Sequence, residues 1–150
     1  MKSKPKPINT TQKLPIHFWI VGILALLWNL MGCVAYLGQR FMTEDMLAAM
    51  PEAEQEIFLN TPAWATAAFA IAVWGGLVGS IMLLIKKSGA GLIFIISFMG
   101  VLTQFSYNFL LANSIEIYGP GGLIMPIMVI VLAAFFIYYA RMAKAKGWIG

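Results

Sequence analysis

At 150 residues, 61% hydrophobic and only 11% charged, with a mean hydropathy of +0.83, this chain is too apolar to stay soluble as a monomer, and its length bounds it to one domain. A net charge of +4 would suggest nucleic acid in a soluble protein, but here the bases flank apolar stretches, where topology and anionic lipid headgroups account for them. One cysteine, Cys33, excludes an internal disulfide framework and a Cys-based zinc site.

The N-terminus is basic (Lys2, Lys4, Lys6, Lys13) and leads into a first apolar stretch at residues 16–37. Those residues make roughly 33 Å of helix, enough to cross a hydrocarbon core of about 30 Å. The run is long for a signal peptide and lacks a small-x-small cleavage site. Leu30-Met31-Gly32-Cys33 approximates a lipobox, but Met before the Gly-Cys pair is atypical and the run continues past the cysteine. Lipoprotein processing stays a minor alternative.

Residues 38–61 form a loop rich in acids: Glu44, Asp45, Glu52, Glu54 and Glu56, with Arg40 the only base. Thr43 is placed to cap a short helix, and Pro51 to start another with Glu52 and Glu54 in its first turn, complementing the helix dipole. Met46, Leu47, Met50, Ile57 and Phe58 give both an apolar side. The expected arrangement is two amphipathic helices against the outer headgroups, and the sharper reading is a lid over a cavity.

The second span, residues 62–85, begins at Thr61-Pro62, with Thr as N-cap and Pro at the first helical position, and stops at Lys86-Lys87. Ser88-Gly89 make the turn into a third span at residues 90–112. A fourth, residues 122–140, follows the breaker Tyr118-Gly119-Pro120-Gly121-Gly122. Trp64 at one end, and Tyr138 and Tyr139 beside Arg141 at the other, are interfacial anchors.

Nine of the ten Lys and Arg residues fall on one side of this pattern and all six acids, five of them in residues 38–61, on the other. Short loops rich in Lys and Arg stay cytoplasmic, so the expected topology is N-in and C-in with residues 38–61 outside. The fold expectation is an all-α bundle of four transmembrane helices that self-associates or meets a membrane partner.

No Asp, Glu, Lys, Arg or His lies in the interior of any span. Intramembrane ionisable groups mark proton relays and ion pathways, so this pattern argues against a pump or a proton-coupled carrier. His17 reads as an interfacial anchor and Glu116 as a solvated loop acid. With no Ser-His-Asp set, carboxylate pair, phosphate loop or HExxH motif, neither an enzyme nor a metal or other cofactor is expected.

The polar residues that enter the bilayer follow helical spacing. Gly22, Ala25, Asn29, Gly32 and Tyr36 share one face of the first span, and Ser97, Gly100, Gln104, Tyr107 and Leu111 repeat the spacing on the third. Their first three members match as small, small, carboxamide, a faint parallel repeat of the kind found in transporters. Two accounts of this layer stay open. In one, Asn29 and Gln104 are interhelical glue, as Gly75, Gly76, Gly79 and Ser80 are for the second span. In the other, Trp28, Asn29, Gln104 and Asn108, with Thr103 nearby, form a neutral pocket in which carboxamides bond hydroxyls and a ring covers an apolar face.

Trp28-Asn29-x-x-Gly32-x-x-x-Tyr36, Met50-Pro51-Glu52-Ala53-Glu54, Thr61-Pro62-Ala63-Trp64-Ala65-Thr66 and Lys146-Gly147-Trp148-Ile149 resemble a family of small four-helix bacterial inner-membrane proteins sometimes labelled "sugar transporter". The resemblance implies a multi-pass protein of the bacterial inner membrane and brings no functional residues with it. A non-catalytic accessory or scaffold protein is the leading expectation; an uncoupled carrier of a small neutral solute such as a sugar, acting as an oligomer, is the alternative.

Overall fold

The computed structural model describes residues 13–150; Lys2, Lys4 and Lys6 lie outside them. Four helices, α1 (Ile16–Arg40), α4 (Ala63–Leu84), α5 (Ala90–Ser106) and α7 (Ile124–Ala145), form an all-α bundle. Each of these segments, α5 with its extension to Leu111 and α7 with its preceding turn, is long and apolar enough to cross a membrane. The chain is therefore a polytopic membrane protein whose outer helix faces meet lipid. Between α1 and α4 lie α2 (Glu44–Ala48) and α3 (Glu52–Asn60), and α6 (Ser114–Tyr118) precedes a 3-10 turn at Pro120–Leu123. Successive spans run antiparallel. One end carries Lys13, Lys86, Lys87 and Lys144 and is called the basic end below; the other carries residues 38–61 and is called the acidic end.

Packing follows residue size. α4 is apolar all round, and it lies between α1 and α5. Its buried positions are Ala65, Ala68, Ala72, Val73, Gly76, Gly79, Ser80 and Leu83, mostly small, so the neighbouring backbones come close. On the α5 side, a Cβ added at Gly100 would lie 2.8 Å from both the Ala68 carbonyl oxygen and the Ala72 nitrogen. Gly75 meets Ser97, and Gly79 meets the Phe94 ring. On the α1 side, Gly76 admits the Asn29 carboxamide, Gly32 admits Val73, and Gly22 admits Leu84. Both small-residue stripes thus face α4 from opposite sides. The register holds to Tyr107, whose hydroxyl donates to the Asn60 carbonyl at 3.2 Å. Beyond it α5 widens into a π-turn at Tyr107–Leu111, and Leu111, expected on the same face, is 67% exposed. A turn closed by i→i+5 bonds advances the chain differently from an α-turn and swings later residues off the stripe.

The ends depart from expectation in three places. Thr61 does not cap α4: its hydroxyl donates backwards to the Ile57 carbonyl at 2.7 Å, and Pro62 occupies the N-cap position. α1 runs on to Arg40, where a cation suits the helix C-terminus. α7 runs beyond the expected limit to Ala145 because Gly147, at φ +76°, supplies a left-handed stop. There the amides of Gly147 and Trp148 donate to the carbonyls of Lys144 and Ala143, a Schellman closure. The same pair of bonds ends α4, with Lys86 at φ +64° in the position glycine usually holds.

Candidate functional site

The Schellman turn folds the C-terminal residues under the bundle. Trp148 and Ile149 are buried at the basic end with Phe18, Leu83, Ala90, Tyr139, Ala140 and Ala143, and all four spans contribute to this cluster. The Trp148 ring stands edge-on to His17 and Phe18. His17 Nδ1 hydrogen-bonds the Tyr139 hydroxyl at 2.7 Å, tying α1 to α7. The amide of Gly150 donates to the Lys86 carbonyl at 3.0 Å. Lys86 Nζ and Lys146 Nζ lie over the rings of Trp19 and Trp148 at 5.7 and 4.9 Å from the ring centres, so the charged heads cover the seal. In this conformation the basic end is closed.

Toward the acidic end the bundle opens into two cavities. The deeper, a crevice of about 350 Å³, lies among all four spans: Trp28, Asn29 and Gly32 of α1, Phe69 and Val73 of α4, Gln104 of α5, and Val129 and Ala133 of α7 contribute to its wall. The second, a chamber of about 410 Å³, lies at the acidic end and is more polar. Gln39, Arg40, Thr66, Gln104, Asn108 and Ser114 line it, along with Glu54, Ile57 and Phe58 of α3 and Tyr118 of α6. Helix α3, expected flat against headgroups, gives one of its sides to this chamber. Glu54 and Tyr118 both line the chamber, and burial and, secondarily, the Glu54 carboxylate raise the Tyr118 phenol above its usual range.

The crevice and the chamber share two lining residues, Phe69 and Gln104. The expected four-residue layer is therefore divided. Trp28, Asn29 and Gln104 line the crevice, Gln104 and Asn108 line the chamber, and no single cavity holds all four. Thr103, expected nearby, is exposed and turns its hydroxyl back onto the Met99 carbonyl at 2.8 Å.

The two carboxamides also differ in their bonding. Asn29 Nδ2 donates to the Ala25 carbonyl at 2.8 Å and to Ser80 Oγ at 3.3 Å. Ser80, fully buried, donates in turn to the Gly76 carbonyl at 2.7 Å. Asn29 is thus engaged in holding α1 on α4. None of the side-chain hydrogen bonds among the described residues uses Gln104 or Asn108. Gln104 lines both cavities and Asn108 the chamber, and each carboxamide offers two donors and two acceptor sites.

Arg40, Glu54 and Tyr118 were outside the expected site. Glu54 and Tyr118 sit in short connecting helices beyond the reach of the span periodicity, whereas Arg40 lies one turn beyond Tyr36 at the end of α1, past the limit expected for that span. Among the described residues no group of three or more His, Cys, Asp and Glu side chains gathers where a metal could be held. Comparison with protein-family models, with curated proteins and with solved structures found no match, so the four-helix family resemblance rests on its quoted motifs alone.

Proposed function

We propose that this protein is a non-catalytic integral membrane protein that captures a small, net-neutral polar solute in the chamber at its acidic end and passes it without ion coupling. The observation that carries the reading is Gln104, which lines both chamber and crevice and takes part in none of the side-chain hydrogen bonds among the described residues. The wall sets polar side chains such as Thr66, Gln104 and Asn108 beside the rings of Phe58, Phe69 and Phe109, so that polar groups can bond hydroxyls while rings cover apolar faces. The charge pattern supports the acidic end facing outward and the basic end facing the cytoplasm, and the motif resemblance implies a bacterial inner membrane. The uncharged span interiors support passage without a proton gradient.

A second reading has its own observation. Among the described residues Phe18, Tyr139, Trp148 and Ile149 pack together as a buried cluster at the basic end, which favours an accessory protein that binds at the acidic end and hands nothing across. Purified protein in liposomes, tested with a panel of sugars and polyols, separates the two. Carriage predicts saturable, downhill flux that a protonophore leaves unchanged, and Gln104→Ala lowers it by about tenfold, ~1.4 kcal/mol, at an unaltered melting temperature. Uphill uptake that collapses with the protonophore would refute uncoupled passage. Binding without flux would leave the accessory reading.

A further inference from the structure

The crevice opens sideways between α1 and α7. Its lips, Met31 and Met125, are 63% and 54% exposed on membrane-spanning segments, so what reaches this entrance is bilayer hydrocarbon and not an aqueous solute. Its deep end is closed by buried Phe136. Its walls are apolar apart from Asn29, already bonded to Ser80, and Gln104 at the chamber boundary. From Arg40 at the chamber to Trp28 in the crevice, α1 descends roughly 18 Å at ~1.5 Å per residue, close to one leaflet of a ~30 Å core. Chamber and crevice together thus have the polarity, order and depth of a lipid headgroup and its chain.

The chamber wall adds charge. Among the described residues it carries one cation, Arg40, and one carboxylate, Glu54, each held at the helix end that favours its sign. An anionic headgroup would meet Glu54 unfavourably, and an uncharged sugar uses neither charge. A phosphate joined to a primary ammonium uses both: the guanidinium takes the phosphate oxygens and the carboxylate accepts from the ammonium.

We propose that the chamber and crevice together bind one phosphoethanolamine lipid from the acidic-end leaflet, its headgroup between Arg40 and Glu54 and one acyl chain between α1 and α7. The assignment rests on the chamber's reading as a binding site for a net-neutral polar group, and it names that group's class.

Trp28 provides the probe. The full chain is reconstituted in phosphatidylcholine vesicles containing increasing fractions of phosphatidylethanolamine or phosphatidylglycerol with brominated chains, which quench tryptophan on contact. Subtracting the signal of Trp28→Phe isolates Trp28, and subtracting that of Trp74→Phe isolates a lipid-facing control on α4. The expected result is that Trp28 quenching saturates at a low fraction of the ethanolamine lipid and needs a several-fold higher fraction of the glycerol lipid. Trp74 quenching rises with bulk content for both. Glu54→Gln should remove the difference between the lipids, and Val129→Phe, which fills the crevice, should abolish saturation. Mass spectrometry of the unmodified chain released from mild detergent should show the ethanolamine lipid retained over the glycerol lipid. Trp28 quenching that merely follows Trp74 would overturn the crevice assignment while leaving the chamber reading intact. Saturation at the same fraction of either lipid would overturn the headgroup assignment and count against the chamber as well.

Discussion

The two halves of the bundle use similar polar and aromatic residues to opposite ends. At the basic end the residues fill space: Phe18, Tyr139, Trp148 and Ile149 interlock, and His17 has a partner at 2.7 Å. At the acidic end they surround space, and Gln104 and Asn108 line it. Spacing explains part of the difference. Glycine and serine on α4 bring α1 and α5 close along its length, and the C-terminal turn supplies a plug where the spans meet. At the acidic end the chain instead takes a π-turn at Tyr107–Leu111 and a glycine-rich connection before α7. Shape, more than residue type, separates a packing carboxamide from one available to a ligand.

The comparison breaks most severely at Gly100. Gly100→Leu would drive a side chain into the α4 backbone, which has no room to yield, and a loss of roughly 3 kcal/mol is expected, seen as a collapsed melting transition in detergent. An unchanged transition would mean that the α4–α5 contact is not as close as described. Next comes the plug. Trp148→Ala empties a buried position shared by α1 and α7 and should cost about 3 kcal/mol, with increased protease access to the C-terminal residues. Should stability hold, the tail is not part of the core. A smaller loss is expected at Asn29, where Asn29→Ala removes two hydrogen bonds and should lower stability by about 1 kcal/mol. The same truncation at Gln104 should leave melting unaltered, and equal losses at both positions would erase the distinction between the halves.

The spans were legible because a membrane helix must be long and apolar, and composition alone meets that condition. The stripe on α1 was legible for a similar reason: Gly22, Ala25, Asn29 and Gly32 repeat at helical spacing and do face α4. The division of labour between Asn29 and Gln104 was not legible, since the two occupy matching places in matching stripes. What separates them is Ser80 across the interface from Asn29, a pairing between residues 51 apart in the chain. Thr61 followed by Pro62 looks the same whether the hydroxyl caps the next helix or closes the previous one, and the structure chooses the latter. The buried tail did carry a signal. Gly147 placed just after a basic helical turn is the pattern of a left-handed stop, and Trp148-Ile149 behind it supplies the apolar contact that such turns bring back onto the helix.

The central claim is that the space around Gln104 is reached from the acidic end and sealed from the basic end. Cysteine labelling tests it directly. In a Cys33→Ala background, Gln104→Cys and, separately, Ser80→Cys are placed in sealed membrane vesicles of each orientation and treated with an impermeant maleimide. The expected result is labelling at position 104 only from the side bearing residues 38–61, and no labelling at position 80, where the native side chain is fully buried, from either side. Labelling at 104 from the side bearing Lys86 and Lys87, or protection from both sides in protein that melts normally, would contradict the account.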